Sequence, residues 1–220
     1  MLQNKFLNDK FHLFNSDNLQ AFYSFSKIIE KISKIKGDIL ECGIGRGRSL
    51  IILNFLLNQL SIKKKIYAFD SFDGFGIIHK YDKSPRNPKK SEWSKTPKNQ
   101  YKISTSFIKK ILHTHLHKNN HAKTILIKGP IEDTSKSSSF IKKIAFIHCD
   151  VDLYSPHKAI LDHFWNRLSK NGIILFDDID SGIKSKKWPG AVIAFKKFFL
   201  DKKIKIYSDK FRNNIYIEKL

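Results

Sequence analysis

The chain has 220 residues, 41% of them hydrophobic, which is enough for one ordinary core and requires no second domain. Its formal net charge of +21 arises from 41 basic and 20 acidic residues. Only five of the basic residues are arginine, and the lysines are spread along the whole chain, so the charge indicates compositional bias and not a nucleic-acid-binding patch. The first 18 residues contain no apolar run, so we expect neither a signal peptide nor a membrane span, and a cytoplasmic location.

The hydrophobic pattern predicts strands and helices that alternate along the chain. An amphipathic helix is expected at about 18–35, within an N-terminal helical segment spanning 1–36. Strands are predicted at 38–42, 65–70, 124–128, 144–150 and 172–177, helices near 48–60, 102–118, 155–170 and 189–200, and a closing antiparallel hairpin at 205–207 and 214–218. This order predicts an α/β fold in one domain, residues 1–220, with a doubly wound, mostly parallel, seven-stranded Rossmann-like sheet.

The first turn between a strand and a helix carries three alternating glycines, Gly43, Gly45 and Gly47. Glycines have no Cβ to keep the backbone away from a ligand, and the next helix points its free N–H groups at the turn. The dinucleotide pattern G-x-G-x-x-G is not met, because Arg48 occupies the third glycine position. The turn therefore predicts a nucleotide-type cofactor site that is not built for NAD. A strained turn without a ligand is the alternative.

An acidic residue, Asp70, ends the second predicted strand and is followed by Ser71 and Phe72. It lies 23 residues beyond Gly47, close to the spacing at which an acid accepts the ribose hydroxyls of a bound nucleotide. A turn cap without a ligand is the alternative interpretation of Asp70.

Two later strands each end in paired acids, Asp150 with Asp152 and Asp177 with Asp178. Because the carboxyl ends of parallel strands share one edge of a sheet, we expect these carboxylates to converge beside the glycine turn. Clustered carboxylates repel one another unless they share protons or bind a cation, and oxygen donors suit Mg²⁺ or Mn²⁺. We therefore predict a metal site of Asp150, Asp177 and Asp178, with solvated acids that cap loops as the alternative.

His148, on the same strand as Asp150, has two interpretations that stay open here, core packing and support of the acids. Cys42 and Cys149 fall in predicted buried strands, so we expect free core residues and not a disulfide.

Residues 75–101 form a polar, proline-rich insertion after the second strand. We interpret it as lid-like, with Tyr81, Trp93 and Tyr101 available to stack on a sugar. A mobile, solvated loop is the alternative.

Taken together, several segments resemble the macrocin O-methyltransferase family, whose members methylate sugar hydroxyls on macrolides and related glycans. The matching segments are 37–43, 67–74, Lys128–Gly129, 148–154, 172–178 and Pro189–Ala191. The resemblance implies a class I methyltransferase core, S-adenosylmethionine as cofactor and a Mg²⁺ ion held by the acids at the strand ends. The residues predicted to bind the cofactor are Glu41, Cys42, Gly43, Gly45, Gly47, Ser49, Asp70, Ser71, Phe72 and Gly129.

The predicted function is Mg²⁺-dependent methyl transfer from S-adenosylmethionine to a hydroxyl of a sugar, a glycosylated small molecule or a glycan. Asp150 and Asp152 are the catalytic candidates, and either one can take the hydroxyl proton. One alternative is a methyltransferase for nucleic acid or another small molecule, disfavoured for nucleic acid because the chain has neither an Asn/Asp-Pro-Pro-Tyr type motif nor a recognition domain. The second alternative is a non-catalytic protein with a cofactor-binding fold that only binds a partner. The sequence does not identify the acceptor, and it is compatible with a homo-oligomer.

Overall fold

A computed structural model describes residues 15–96, 101–116 and 124–220 of the protein. The strands are β1 Asp38–Cys42, β2 Ile66–Asp70, β3 Thr124–Lys128, β4 Ile144–Cys149, β5 Leu168–Asp180, β6 Ile204–Ser208 and β7 Asn214–Lys219. The helices are α1 Ser16–Ile32, α2 Arg48–Gln59, α3 Thr105–His115, α4 Ile131–Thr134, α5 Tyr154–Phe164 and α6 Pro189–Phe199, with short 3₁₀ turns at Lys80–Asp82 and Trp165–Arg167. Within these described ranges, no helix has the length and apolar content needed to cross a bilayer.

The seven strands form one sheet in the order β3-β2-β1-β4-β5-β7-β6. The first five are parallel, whereas β7 runs antiparallel to both β5 and β6. From β1 the chain builds outward to β2 and β3 and then returns to place β4 on the other side of β1. Ligands of such sheets bind at the carboxyl ends of the strands where the order reverses, which here is between β1 and β4. The predicted fold class is confirmed.

Both faces of the sheet are covered, as parallel strands require. Helices α1, α2 and α3 pack on one face and form the first hydrophobic core with the sheet. Helices α5 and α6 pack on the other face and form the second core. Successive side chains of a strand point to opposite faces. Along β5, accordingly, Ile173 and Leu175 belong to the first core, and Ile174 and Phe176 belong to the second.

The structure corrects several predicted boundaries. The helix predicted near 155–170 spans Tyr154–Phe164, because a 3₁₀ turn and the start of β5 at Leu168 follow it. The third long helix begins at Thr105 and not at 102, because the side chain of Ser104 caps it by accepting a hydrogen bond from the Phe107 N–H at 3.1 Å. Strand β5 is longer than the predicted 172–177 at both ends, because Leu168 pairs with β4 and Asp180 pairs with β7. Asp177, predicted to end the strand, and Asp178, predicted to follow it, therefore both lie within β5.

The described residues 75–96 of the insertion contact the rest of the domain at several points. Arg86 forms a two-bond ion pair with Glu92, and its guanidinium lies 5.0 Å from the ring centroid of Trp188, next to the start of α6. Ser84 donates a hydrogen bond to the Lys187 carbonyl at 2.9 Å. Residues 97–100, which belong to the predicted insertion, lie outside the described residues.

Candidate functional site

The glycine turn follows β1 at the reversal point of the sheet. Gly43, Gly45 and Gly47 all have positive φ, at 90°, 51° and 85°. A Cβ on Gly43 would lie 1.7 Å from the backbone oxygen of Asp150, so β1 and the chain after β4 come together only because Gly43 has no side chain. A Cβ on Gly45 would meet nothing within 4 Å. The open side of the turn is therefore at Gly45.

Asp70 closes this turn from the end of β2. One carboxylate oxygen accepts hydrogen bonds from the N–H groups of Ile44 and Gly45 at 2.9 and 3.1 Å, and the other accepts from Phe72 N–H at 2.7 Å. Burial raises the pKa of Asp70, and the three N–H donors oppose that shift. Asp70 thus has the capping role named as the alternative above, and its contact with a ribose stays a prediction.

Several predicted cofactor ligands turn their side chains into the interior. Cys42 is fully buried, and the ring of Phe72 is 2% exposed within the first core. Glu41 is also fully buried, where it accepts hydrogen bonds from Ser49 and bonds to His148. Residues 41, 42 and 72 can therefore meet a ligand in this arrangement only through their backbone.

Two further predicted cofactor residues shape the same edge of the sheet. Gly129, with φ 135°, donates its N–H to the Asp70 carbonyl at 3.0 Å and so ties the end of β3 to the end of β2. Ser71 donates its hydroxyl to the Gly74 carbonyl at 2.8 Å and holds the first turn of the insertion.

The cysteine prediction is confirmed. Cys42 and Cys149 are buried and form no disulfide, although they lie opposite each other in the register of β1 and β4. Burial raises the pKa of both thiols well above their usual value, so both stay protonated.

The four acids at the ends of β4 and β5, Asp150, Asp152, Asp177 and Asp178, gather at the edge of the sheet in two sets that share Asp150. Ligand atoms of Asp150, Asp152 and Asp178 all lie within 4.8 Å of one another, and so do those of His148, Asp150 and Asp177. No other described residues form such a set of three. The predicted trio of Asp150, Asp177 and Asp178 is thus divided. The reason is the strand alternation, which sends neighbouring side chains of β5 to opposite faces.

Asp177 lies on the face of the first core among positive partners. Arg212, from the turn between β6 and β7, places its Nη1 2.5 Å from the Asp177 carboxylate, and Asn214 donates to the same carboxylate at 3.2 Å. His148 Nε2 is 3.7 Å away, an ion-pair distance too long for a hydrogen bond. Burial alone would raise the pKa of Asp177, but His148 and Arg212 outweigh it and lower the pKa to about 2.

His148 serves both of the roles that the sequence left open. Its ring packs edge-on against Phe25 at 4.9 Å, and its Nδ1 bonds to Glu41 at 2.9 Å. Burial alone would lower the pKa of His148, but the charges of Glu41 and Asp177 raise it to about 10. The ring of His148 therefore lies between two acids, Glu41 of β1 and Asp177 of β5.

The other set, Asp150, Asp152 and Asp178, carries excess negative charge. Burial, followed by the charges of neighbouring acids, raises the pKa of Asp150 and Asp178 well above the usual range. Burial and the charge of Asp150 raise the pKa of Asp152 to about 8. Such shifts are typical of groups that exchange protons or bind a cation.

The sequence analysis missed Arg212 altogether. Nothing local marks it, because its partner Asp177 is 35 positions away and the hairpin alone brings them together. The strand alternation could have placed Glu41 and His148 together, since they are paired in the register of β1 and β4.

Comparison with solved structures identifies the fold. A calicheamicin methyltransferase superposes with a TM-score of 0.74 at 21% identity, covering 98% of this chain and 85% of that one. The O-methyltransferase NovP gives 0.71 at 17% identity, covering 91% and 79%. A Podospora anserina methyltransferase solved with S-adenosylhomocysteine gives 0.54 at 18%, covering 92% and 78%. The domain thus has a Rossmann-like methyltransferase fold.

Sequence comparison identifies the family. The model of the macrocin O-methyltransferase family matches residues 17–209, so this chain belongs to that family, and the resemblance seen in its motifs is confirmed. The mycinamicin III 3''-O-methyltransferase of Micromonospora griseorubida is 25% identical over 149 residues, 66% of this chain. The matched region spans 56% of the length of that relative.

Proposed function

We propose that this protein transfers a methyl group from S-adenosylmethionine to a hydroxyl of a sugar-containing acceptor, with the help of a divalent ion. The observation that carries the proposal is the meeting of the glycine turn and the carboxylates at the reversal point, where Gly43 touches the backbone of Asp150. A cofactor bound on the turn would lie beside groups able to take a proton. The family of the chain supports the same reaction class.

The cofactor would lie on the open side of the glycine turn, at Gly45, with the N-terminus of α2 beyond it. Bound there, S-adenosylmethionine supplies a methyl group on a sulfonium, which any nucleophilic oxygen held in line can take. Backbone groups of residues 41, 42 and 72 would form the floor of that site, while Asp70 keeps the turn closed. Asp70 would meet the ribose through its remaining lone pairs.

The carboxylates fit a divalent cation, because buried oxygen donors with mutually raised pKa values gain from a positive ion. Asp150 and Asp178 belong both to the predicted ligand trio and to the negatively charged set, and we assign them as ligands. We propose Asp177 as the third ligand, as in the predicted trio, which leaves Asp152 free. Because the structure places Asp177 and Asp178 in separate sets, the Asp177 side chain would have to move toward Asp178 to reach the same ion. The ion pair of Asp177 with Arg212 competes with this assignment. When bound, the ion would make a nearby acceptor hydroxyl more acidic.

Asp152 is the proton acceptor that this arrangement favours, with Asp150 as the other candidate. A general base works best when its pKa is near the working pH, and that of Asp152 is raised to about 8. In the transfer, the acceptor oxygen would form a bond to the methyl carbon as the carbon–sulfur bond breaks, and the Asp152 carboxylate would take the hydroxyl proton. S-adenosylhomocysteine leaves as the product.

An assay with labelled methyl groups tests the proposed function. The protein is incubated with labelled S-adenosylmethionine, Mg²⁺ and a panel of TDP-rhamnose, rhamnose and methyl glycosides. TDP-rhamnose is included because one of the solved structures with this fold is a TDP-rhamnose 3'-O-methyltransferase of calicheamicin biosynthesis. We expect label on at least one sugar oxygen, located by mass spectrometry. If S-adenosylhomocysteine binds but a broad glycan panel stays unlabelled, the non-catalytic alternative is preferred.

The metal assignment predicts that EDTA stops turnover and that Mg²⁺ or Mn²⁺ restores it. Calorimetry with Mn²⁺ gives an independent measurement. Asp178→Asn and Asp177→Asn should each weaken Mn²⁺ binding by about tenfold or more, whereas Asp152→Asn should leave it within about twofold. Weak binding in Asp152→Asn with normal binding in Asp177→Asn would replace Asp177 by Asp152 as a ligand. Full turnover in EDTA would refute the metal role.

We propose that exposed aromatic rings of the insertion contact the acceptor. Trp93 is 52% exposed and has φ 67°, and Tyr101 is 62% exposed, so both rings are available for stacking on a sugar. Trp93→Ala should raise the acceptor KM by up to about tenfold, since one aromatic stacking contact is worth about 0.5–1.5 kcal/mol, with the cofactor Kd unchanged. Phe140→Ala, an exposed ring outside the insertion, is the control. An unchanged KM would make the insertion a structural element only.

A further inference from the structure

The insertion is attached to the start of α5 by the four residues 79–82, here named the 79–82 clasp. The ring of His79 stacks on Tyr154 at 4.6 Å, and the ring of Tyr81 meets Tyr154 edge-on at 4.9 Å. Lys197 of α6 donates a hydrogen bond to the Tyr81 hydroxyl at 2.9 Å. Two separate parts of the chain, the insertion and α6, therefore meet at Tyr154, the residue that follows the Asp150-Val-Asp152-Leu motif.

The central group of the clasp is the carboxylate of Asp82, a residue that is 1% exposed. One of its oxygens accepts the backbone N–H of Tyr154 at 2.8 Å, and the other accepts the N–H of His79 at 3.1 Å. Tyr154 is the first residue of α5, whose N-terminus has no side-chain cap from its own N-cap residue. Asp82 supplies that missing cap from 72 positions away.

Gly190, at the start of α6, leaves the space that this carboxylate occupies. A Cβ on Gly190 would lie 1.9 Å from the Asp82 oxygen that binds Tyr154, and 2.9 Å from the Cβ of Tyr154. The backbone of α6 can pass this close only because position 190 has no side chain. Gly190 belongs to the Pro-Gly-Ala segment of the family resemblance, and the clasp gives that glycine a physical reason.

The turn that Asp82 holds is the one that carries the catalytic candidates. Asp152 has φ 61°, a left-handed conformation that is uncommon outside glycine and costs an L-residue about 1 kcal/mol. Alternate N–H groups of the turn are fixed by three different elements. Asp150 N–H bonds to Cys42 O at 2.9 Å, Asp152 N–H to the Asp178 carboxylate at 2.8 Å, and Tyr154 N–H to Asp82.

We infer that Asp82 is a positioning residue for methyl transfer, which acts by holding the 150–154 turn so that Asp152 stays in its left-handed conformation. Strained backbone persists only where its surroundings over-determine it, and Asp82 is the one of the three anchors that comes from outside the sheet. The inference rests on the proposed function for the roles of Asp150 and Asp152. It links the insertion to the catalytic turn through one carboxylate.

Hydrogen exchange measured by NMR tests the anchor without any substrate. In Asp82→Ala the amide of Tyr154 should exchange at least about tenfold faster than in the wild type, while Leu161 in the middle of α5 keeps its protection. Asp82→Asn retains an acceptor oxygen for Tyr154 and should preserve protection. Ser84→Ala, which removes a different hydrogen bond of the insertion, is the control.

Gly190→Ala provides a second variant that leaves Asp82 in place but displaces its carboxylate. It should reproduce the fast exchange at Tyr154. Gly76→Ala should not, because a Cβ there meets nothing within 4 Å. If Asp82→Ala is too unstable to study, the pair of glycine variants still decides. Unchanged exchange at Tyr154 in both Asp82→Ala and Gly190→Ala would overturn the anchor.

Turnover with the best sugar of the labelled-methyl panel tests the positioning role. Asp82→Ala should lower kcat by about 10–100-fold, since misplacement by 1 Å can cost that much, while the Kd of S-adenosylhomocysteine stays within about twofold. Asp82→Asn should recover most of kcat. Wild-type kcat in Asp82→Ala, or an equal loss in Asp82→Asn with normal Tyr154 protection, would refute positioning. If the wild-type protein methylates no sugar in the panel, only the proposed function is contradicted. The anchor is still tested by hydrogen exchange, because that measurement needs no acceptor.

Discussion

Asp150→Asn is expected to lower kcat by about a thousandfold, because it removes a metal ligand and a candidate base together, each of which contributes at least about 10²-fold. Asp150 is the one acid common to both sets of potential ligands, so its loss disrupts either arrangement of the ion. The amide keeps the size of the side chain and leaves the backbone contact with Gly43 intact. The Kd of S-adenosylhomocysteine should therefore stay within about twofold of the wild type.

Asp162→Asn is the matched control for this variant. Asp162 lies on the outer side of α5, where it pairs with Lys158 four residues earlier, and an exposed pair of this kind contributes little. Steady-state kinetics with the labelled cofactor should give wild-type kcat for Asp162→Asn. An Asp150→Asn protein that turns over within a factor of three of the wild type would rule out both roles assigned to Asp150.

Gly43→Ala is expected to lower the free energy of unfolding by roughly 3–4 kcal/mol, from overpacking together with left-handed strain. The added methyl would lie 1.7 Å from the backbone oxygen of Asp150, so β1 or the chain after β4 would have to move. Both are backbone, and neither can rotate out of the way. Urea denaturation followed by circular dichroism measures the loss.

Gly45→Ala separates the ligand role of the turn from its structural role. Its methyl meets no protein atom within 4 Å, so we expect only the cost of its φ of 51°, about 1 kcal/mol. The methyl would project into the proposed cofactor site and should weaken S-adenosylhomocysteine binding. Equal losses of stability in the two variants, with cofactor binding intact in Gly45→Ala, would contradict this division of roles.

The prediction from sequence worked best where structure is local. Strands β1 and β3 begin and end at the predicted residues, because each short run stops directly before a glycine, Gly43 or Gly129. Strand β5 was predicted too short, since its polar start at 168–172 and its acidic end are held by pairing with β4 and β7. The strand alternation at Asp177 and Asp178 followed from that length and was missed with it.

The reasons for particular residues were less predictable than their positions. Gly43 was predicted to leave space for a ligand, but in the structure the space beside it is filled by the backbone of Asp150. Asp70 was selected for a ribose, and in the structure it holds three N–H groups of the adjacent turns. The insertion was given a solvated loop as its alternative, yet Asp82 is buried against α5. Contacts such as Asp82 with Tyr154 join distant positions, and no local pattern encodes them.

We propose that the glycine turn binds S-adenosylmethionine and not a dinucleotide. Isothermal titration calorimetry of the wild-type protein with S-adenosylhomocysteine, and separately with NADH, tests it most directly. We predict a saturable heat with S-adenosylhomocysteine that Gly45→Ala weakens, and no binding of NADH, because Arg48 occupies the position of the third dinucleotide glycine. No heat with S-adenosylhomocysteine, or tight binding of NADH, would contradict the assignment.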